Sequence, residues 1–385
     1  MKIAITHPTT FTRVRRGTER VAEETAKFMA SRGHKVTFIA CNPGAAEKSH
    51  SEGVLFDCHR RWWHPSFARI GLLEHHSFLP STFFRLIRER FDVIHSYSFT
   101  DGFAAVQARR FTGVPNVLTV NAIPPKVTYY RSLTTGGAIF KRAVQHSSEV
   151  TVPSHYVNLY VQARWGRDCV EFPAPVDLDR FPLHSQRDLT RPILLCTAAL
   201  DDARKGGKVI MRALNRVKEI HPKLVFKVAS AIDETKRREL MQLVAPQWRE
   251  DVYFLGNGSP GDLPLLYGSA SVTVLASLWE AFGMVSIESL ATGTPVAATR
   301  DGALPEIIDD SVGSLFDPGP IEDAGPSNDE GLAKSILSCL ELSRRPETAD
   351  VCRARARQFS WQECGVRIER VYERVIAESR QKRRD

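Results

Sequence analysis

The sequence predicts an α/β protein made of two doubly wound domains. Short apolar runs alternate with amphipathic stretches in both halves of the chain, which is typical of a parallel sheet covered by helices on both faces. A length of 385 residues is large for a single hydrophobic core, so two domains are expected. We place one domain at residues 1–185 and the other at residues 186–364, and we expect the two to face a cleft.

The first half contains the first series of strands and helices. Residues 1–5 are mostly apolar and predict a strand, and apolar residues then recur at helical spacing from Val21 to Met29, before Gly33 ends that helix. Further apolar runs predict strands at 35–40, 92–95, 116–120 and 149–152. The turn at 7–13 lacks the Gly-x-Gly-x-x-Gly pattern of dinucleotide-binding proteins, which disfavours an oxidoreductase.

The second half repeats the alternation of strands and helices. The polar stretch 185–191 predicts the linker between the domains, and residues 318–330 predict an exposed polar loop. Strands are expected at the apolar runs 193–197, 224–229, 252–256, 272–276 and 295–298.

The composition favours a globular cytoplasmic protein. Hydrophobic residues make up 43% of the chain, and no apolar run reaches the roughly 18 residues that span a bilayer. The first residues already predict a strand, so no secretory leader is expected. The seven cysteines show no paired Cys-x-x-Cys spacing, which favours free thiols in a reducing compartment over disulfides or a zinc site.

The positive charge is concentrated in the first half. Residues 1–185 contain 24 Lys and Arg against 15 Asp and Glu, whereas residues 186–385 contain 28 against 29. A basic half is expected to meet an anionic acceptor, an anionic membrane or nucleic acid, or else to be an ordinary solvated surface. The runs 60–64 and 83–88 mix aromatic and basic residues, and such a surface can contact anionic lipid headgroups. The simpler interpretation is ordinary packing with arginines at the surface. No nucleic-acid-binding motif accompanies the charge, so we expect no nucleic acid partner.

The most informative segment runs from Glu280 to Glu288 and contains a Phe-Gly pair. An apolar strand-like run precedes it and a helical pattern follows, so the segment predicts a strand, a tight loop and a helix. A helix N-terminus attracts anions, because its N–H groups lack acceptors within the helix and its dipole favours negative charge. We therefore expect a phosphate at this loop, with the two carboxylates accepting hydrogen bonds from hydroxyls on either side.

This segment, with the later runs Gly-Thr-Pro-Val at 293–296 and Gly-Ala-Leu-Pro-Glu-Ile-Ile at 302–308, resembles the donor site of glycosyltransferase family 4. Members of that family are retaining enzymes of the GT-B fold. The resemblance implies two Rossmann-like domains and a last helix, at about 365–385, that packs back onto the first domain. It also implies a nucleotide-diphosphate sugar as co-substrate, with no cofactor and no catalytic metal. We therefore do not interpret the Asp-Leu-Asp run at 177–179 as a metal site.

The resemblance also assigns roles to individual residues. Glu280 is implied to contact hydroxyls of the donor sugar, and Glu288 to bind the ribose hydroxyls of the nucleotide. Arg204 and Lys205 resemble the family's Arg-Lys-Gly element, whose charges stabilise the leaving diphosphate and make them candidate catalytic residues with Glu280. The simpler interpretations are a helix-dipole partner for Glu288 and surface charges for Arg204 and Lys205. The other implied donor-binding residues are Gly256, Asn257, Phe282, Gly283, Met284 and Val285.

A second group of candidate residues lies in the first domain. Arg16, Gly17 and Thr18 resemble the family's glycine-containing loop beside the diphosphate and the acceptor. His95 and Asn121 lie at the carboxyl ends of predicted strands, at the edge where open α/β sheets bind ligands. The simpler interpretations are a surface charge for Arg16 and a structural role for His95.

We therefore expect a hexosyltransferase-type retaining glycosyltransferase, with a lipid-linked or cell-envelope glycan as one acceptor class. A cytoplasmic protein with peripheral contact at the inner membrane face fits the basic first domain. The sequence predicts no particular oligomeric state.

Two alternative functions stay open. A sugar-nucleotide epimerase shares the GT-B architecture. A non-catalytic nucleotide-sugar-binding protein is favoured by two departures from the family pattern. Ala198 and Ala199 stand before the Arg-Lys element, where the family often has an arginine, and Asn121 stands where many relatives have a histidine.

Overall fold

The computed structural model describes residues 1–11, 17–42, 44–61, 74–122, 135–184, 187–257 and 261–384. The chain divides into two compact units, the first made of Met1–Pro175 with Trp361–Asp385 and the second of Val176–Ser360. Compared with the boundaries expected from the sequence, residues 176–184 lie with the second unit and residues 361–364 with the first.

The described part of the first unit contains a sheet of eight strands in the order β3-β4-β2-β1-β5-β6-β7-β8. Only β3 is antiparallel to its neighbour, β4. Strand β1 lies inside the sheet and pairs with β2 on one side and β5 on the other. The chain adds strands first on the β2 side and then on the β5 side, so the strand order reverses between β1 and β5. The strands are β1 (Lys2–Thr6), β2 (Lys35–Asn42), β3 (Glu47–Ser51), β4 (Val54–Arg60), β5 (Val93–Ser96), β6 (Asn116–Thr119), β7 (Glu149–Val152) and β8 (Val170–Glu171).

Helices of the first unit pack on this sheet, and the C-terminal segment joins them. The helices are α1 (Gly17–Ser31), α2 (Phe78–Arg88), α3 (Phe99–Thr112), α4 (Thr135–His146), α5 (His155–Trp165) and, at the end of the chain, α13 (Val366–Gln381). Just before α13, the ring of Trp361 stacks on Phe28 of α1 with centroids 5.1 Å apart. Within α13, Tyr372 is fully buried against the sheet. Burial of these large aromatic surfaces stabilises the attachment of the C-terminal segment to the first unit.

The described part of the second unit contains a parallel sheet of six strands in the order β11-β10-β9-β12-β13-β14. The strands are β9 (Ile193–Cys196), β10 (Val225–Val228), β11 (Val252–Phe254), β12 (Val272–Leu275), β13 (Val296–Thr299) and β14 (Gly313–Phe316). The helices are α6 (Gly207–Ile220), α7 (Glu234–Gln242), α8 (Leu263–Ser269), α9 (Met284–Ala291), α10 (Leu304–Ile307), α11 (Asp329–Ser343) and α12 (Thr348–Arg357). The strand order reverses between β9 and β12, and open α/β sheets bind ligands beyond the carboxyl ends of the strands at such a point.

The strands predicted from apolar runs are all present, with ends within two residues of the predicted ones. The structure adds a hairpin, β3 and β4, and the strands β8 and β14, which the pattern did not indicate. All five residues of β3 are exposed, because it is an edge strand paired only with β4. Its turn uses Glu52 and Gly53, both with left-handed φ, which is the conformation of tight hairpin turns.

Candidate active site

Two chain segments meet where the winding of the second sheet reverses. Strand β9 leads to a short 3₁₀ turn at Ala203–Lys205 and then to α6, whereas β12 leads to a loop and then to α9. The N–H of Leu278 in this loop donates to the carbonyl oxygen of Arg204 at 2.8 Å. The basic turn and the glutamate-containing loop are therefore joined directly through their backbones.

Lys205 and Glu280 form the charged centre of this region. The Lys205 Nζ lies 2.7 Å from the Glu280 Oε2, and the two side chains are 27% and 18% exposed. The ammonium is suited to attract a phosphate and the carboxylate to accept hydrogen bonds from hydroxyls. The structure thus brings together two of the three residues that the sequence predicts as catalytic.

Arg204, the third predicted catalytic residue, binds Asp202 instead of Glu280. Its guanidinium lies within 3.1 Å of both Asp202 carboxylate oxygens. Asp202 also caps the turn by accepting the N–H of Arg204 at 3.0 Å. Burial alone would raise the pKa of the Asp202 carboxyl, but the hydrogen bond and charge of Arg204 outweigh it, so the pKa lies below its usual value.

The backbone around the charged centre is tightly packed. Gly206 has a φ of 72°, and a Cβ added there would lie 2.3 Å from the carbonyl oxygen of Ala276, at the end of β12. Only glycine combines a left-handed φ with so close an approach of another backbone. Gly206 therefore holds the basic turn against the strand that leads to Glu280.

A second backbone contact holds the glutamate-containing loop from the other side. Trp279 has a φ of 55°, a left-handed conformation that is rare for a residue with a side chain. Its N–H donates to a carboxylate oxygen of Asp301, which follows β13. The N–H of Ala303 donates to the carbonyl oxygen of Glu280 at 2.9 Å. A Cβ added to Gly302 would lie 2.4 Å from the same carbonyl oxygen.

Helix α9 begins directly after the predicted Phe-Gly pair. Gly283 is its N-cap, with a φ of 100°, and Met284 and Val285 form its half-buried first turn. The hydroxyl of Ser286 is buried and has no hydrogen-bond partner among the described residues. The Phe282 side chain is 6% exposed and packs on Phe359 at 5.7 Å between ring centroids, which favours a structural role over contact with a donor.

Glu288 lies inside α9 and is almost fully buried. Its Oε2 accepts a hydrogen bond from the hydroxyl of Tyr267 in α8 at 2.9 Å. The same hydroxyl lies 2.9 Å from the Thr197 hydroxyl at the end of β9. Tyr267 thus contacts Glu288, the predicted ribose-binding residue. The sequence pattern did not indicate Tyr267, because its position in the apolar pattern of α8 gives no sign of a polar contact.

The implied donor-binding residues Gly256 and Asn257 follow β11. Gly256 has a φ of 67°, and nothing lies within 4 Å of a Cβ added there. The side-chain oxygen of Asn257 accepts a hydrogen bond from the N–H of Ala231 at 2.8 Å. Gly258, the next residue along the chain, lies outside the described residues.

The residues predicted in the first unit fall in different surroundings. Gly17 is exposed and Thr18 half-buried at the start of α1, whereas Arg16 lies outside the described residues. Asn121 directly follows β6, and its side-chain nitrogen is buried with no partner among the described residues.

His95 lies in the interior of the first sheet. It is fully buried, with Nδ1 at 2.6 Å from the Tyr372 hydroxyl and Nε2 at 2.6 Å from the Thr119 hydroxyl. Burial lowers the pKa of His95 to about 3, so the ring is neutral. Both ring nitrogens are engaged, which favours a structural role over the predicted contact with acceptor or diphosphate.

The Asp-Leu-Asp run at 177–179 caps a turn. Asp177 accepts the N–H groups of Asp179 and Arg180 at 2.9 and 3.1 Å. Over the described ranges, no three His, Cys, Asp or Glu side chains are grouped as metal ligands would be. No helix in those ranges is long and apolar enough to cross a bilayer.

Two α/β units built on largely parallel sheets, the second with a charged centre at its winding reversal, are the architecture of GT-B glycosyltransferases. Residues 15–180 match the family described as Glycosyltransferase Family 4, and residues 180–359 match Glycosyl transferases group 1. The two matches together span residues 15–359, and the chain belongs to the glycosyltransferases that these two descriptions cover.

Three known proteins illustrate the similarity. The MMP α-(1→4)-mannosyltransferase of Mycolicibacterium hassiacum is 28% identical over 207 residues, which cover 53% of this chain and 48% of that relative. The chain therefore matches about half the length of that relative. The sucrose-phosphate synthase of Thermosynechococcus elongatus has the same fold, with a TM-score of 0.78 at 19% identity, covering 98% and 99% of the two chains. HepE of Anabaena, solved in complex with UDP, gives a TM-score of 0.73 at 17% identity, covering 97% and 100%.

Proposed function

We propose that the protein is a retaining glycosyltransferase that moves a hexosyl group from a nucleotide-diphosphate sugar to an acceptor hydroxyl. The observation that carries the proposal is the Lys205–Glu280 pair at the winding reversal of the second sheet, beside the N-terminus of α9. This arrangement offers a cation and a helix N-terminus to a diphosphate, and a carboxylate to the sugar that the diphosphate carries.

The reaction exchanges one bond at the anomeric carbon for another. The bond from that carbon to the phosphate oxygen breaks, the bond to the acceptor oxygen forms on the same face, and the acceptor proton passes to the leaving phosphate. Negative charge grows on the diphosphate, where Lys205 and the start of α9 stabilise it. Glu280 accepts hydrogen bonds from the sugar hydroxyls, and Glu288 binds the ribose. No step requires a metal ion or another cofactor.

The decisive experiment compares transfer by the wild-type protein with transfer by Glu280→Gln. The amide keeps the shape of the carboxylate but loses its charge, so kcat should fall at least about tenfold, which corresponds to about 1.4 kcal/mol in the transition state. Glu234→Gln is the matched control, since Glu234 is an exposed glutamate in the first turn of α7. Wild-type kcat in Glu280→Gln would contradict the assigned role.

We propose further that the first unit contacts an anionic membrane through an exposed aromatic cluster of Phe83, Phe84 and Phe111. Phe84 and Phe111 are 53% and 75% exposed, and each ring packs edge-on against Phe83, with centroids 5.4 and 5.7 Å away. Arg88 and Arg110 lie exposed at the ends of the same helices, α2 and α3. Aromatic rings flanked by cations favour the headgroup region of anionic bilayers.

Vesicle sedimentation tests this membrane contact. The protein should bind phosphatidylcholine vesicles that contain phosphatidylglycerol, and Phe84→Ala with Phe111→Ala should weaken that binding at least about tenfold, because apolar area is removed from the contact. Leu159→Ala, at a side chain 52% exposed in α5, is the control. If the protein with both Phe84→Ala and Phe111→Ala bound the vesicles as well as the wild type does, the aromatic cluster would be excluded as the membrane contact.

A further inference from the structure

We propose that Asp301 is a positioning residue that sets the direction of the Glu280 carboxylate by holding the backbone of Trp279. The proposal rests on the function assigned above to Glu280. Among the described residues, the Asp301 side chain makes no hydrogen bond to the side chain of Lys205 or Glu280. Its effect on Glu280 therefore passes through the backbone of the loop.

Trp279 adopts a backbone conformation that is unusual for a residue with a side chain. Its φ of 55° lies in the left-handed region, which residues with a Cβ avoid because the Cβ clashes with the backbone. Residues in such conformations persist where their surroundings hold them, and they cluster at functional sites. Trp279 directly precedes Glu280, so its torsion angles set where the Glu280 side chain starts.

A hydrogen bond to the loop after β13 holds Trp279 in this conformation. Its N–H is bound by the Asp301 carboxylate. A hydrogen bond to a charged acceptor is stronger than one between neutral groups, so it opposes relaxation of the peptide toward negative φ. Trp279 and Asp301 are 22 positions apart, at the ends of the neighbouring strands β12 and β13.

The two residues after Asp301 contact the backbone of Glu280 itself. Ala303 donates its N–H to the Glu280 carbonyl oxygen at 2.9 Å. Gly302, with a φ of 63°, lies against the Glu280 backbone so closely that an added Cβ would be 2.7 Å from its nitrogen. The segment 301–303 therefore contacts the backbone of both Trp279 and Glu280. Of these contacts, the one made by the Asp301 side chain can be removed by a substitution that adds no backbone strain.

The test measures kcat and KM for the nucleotide sugar in Asp301→Ala and Asp301→Asn. Asp301→Ala should lower kcat at least about tenfold with KM changed less than about threefold, since a misplaced carboxylate affects orientation more than ground-state binding. Asp301→Asn should stay within about threefold of the wild type, because its amide oxygen still accepts the Trp279 N–H. Asp188→Ala is the matched control, since Asp188 likewise accepts a backbone N–H, that of Thr190 at 2.9 Å, in an exposed turn.

A double variant separates positioning from general stabilisation. If Asp301 acts through Glu280, then Glu280→Gln with Asp301→Ala should be no more than about twofold slower than Glu280→Gln alone, because the effects of coupled residues do not add. All rates are compared per folded molecule, determined by circular dichroism. Where Asp301→Ala does not fold, Asp301→Ser replaces it, because serine is polar but lacks the carboxylate that accepts the Trp279 N–H.

Two results would overturn the proposal. One is a wild-type kcat in Asp301→Ala, and the other is a double variant that loses the full product of both single losses. Failure of the underlying function looks different, since Glu280→Gln would then itself retain wild-type kcat.

Discussion

At the residue scale, the site depends on conformations and pairings that individual side chains would not adopt alone. The left-handed backbone of Trp279 costs about 1–3 kcal/mol, which its neighbours must offset. Lys205 and Glu280 stay paired although both are partly exposed, and such pairs contribute little to stability. The pair is therefore better explained by what it can bind than by its effect on folding.

His95 gives the first prediction at this scale, because its burial makes stability depend on pH. The folded pKa of about 3 lies below the usual value of 6.5, so between these values the unfolded chain binds a proton that the folded chain does not. Stability contributed by neutral His95 is therefore complete above pH 6.5 and falls as pH decreases, by up to about 1.4 kcal/mol per pH unit.

Urea unfolding at pH 5 to 7 checks this, read as the difference between the wild type and His95→Gln. The advantage of the wild type should shrink as pH falls from 7 to 5. Asp101→Asn is the control of opposite sign, since burial raises the pKa of Asp101 to about 7, so its stabilising effect is lost as pH rises from 4 to 7. A pH-independent difference for His95→Gln would show that the ring is not buried as described.

At the element scale, the site is built from the ends of strands and the starts of helices. Strands β9 and β12 are neighbours in the sheet, so the segments that follow them meet although they are far apart in sequence. Helix α9 starts at a left-handed glycine, which turns the chain sharply enough to aim the helix N-terminus at the same edge. Short, tightly packed connections of this kind keep the charged groups in a fixed geometry.

Gly206 gives the prediction for this scale. Gly206→Ala should destabilise the protein by at least about 2 kcal/mol, because the new Cβ adds a backbone clash to the cost of a left-handed alanine. It should also lower transfer, since relief of the clash moves the basic turn away from Glu280. Gly166→Ala is the matched control, with a φ of 63° but nothing within 4 Å of the added Cβ, and it should cost only about 1 kcal/mol. Equal losses of unfolding free energy in both variants would contradict the close packing at Gly206.

At the scale of the whole molecule, ligand binding should stabilise the folded chain. A nucleoside diphosphate at about 100 times its dissociation constant adds about 2.7 kcal/mol, which raises Tm by roughly 5–10 °C for a unit of this size. A thermal-shift series with uridine, guanosine and adenosine diphosphates identifies the preferred base. Lys205→Ala is the control and should reduce the shift. The absence of a shift with every nucleoside diphosphate at millimolar concentration would count against a donor site.

Assays on the whole protein also distinguish the proposed function from the two alternative functions. Incubation with the preferred nucleotide sugar, without acceptor, leaves the sugar on the nucleotide with a changed configuration for an epimerase. A glycosyltransferase returns it unchanged or slowly hydrolysed. A non-catalytic binder gives a thermal shift but no product with any acceptor.

The sequence by itself determined the fold class and most strands, because the apolar periodicities of strands and helices differ and are visible without any tertiary contact. The strand, loop and helix pattern also pointed to Glu280 and Glu288, and the resemblance to glycosyltransferase family 4 pointed to Lys205. It missed the exposed β3, because an edge strand of polar residues has no apolar pattern.

Only the tertiary structure decided which side chains meet. The Lys205–Glu280 pair spans 75 positions, and the contact of Asp301 with Trp279 depends on β12 lying beside β13. The burial of His95 and the contact of Tyr267 with Glu288 likewise arise from packing. The physical reason is that strand order and side-chain packing are set by the whole core, whereas a sequence pattern reports only neighbours along the chain.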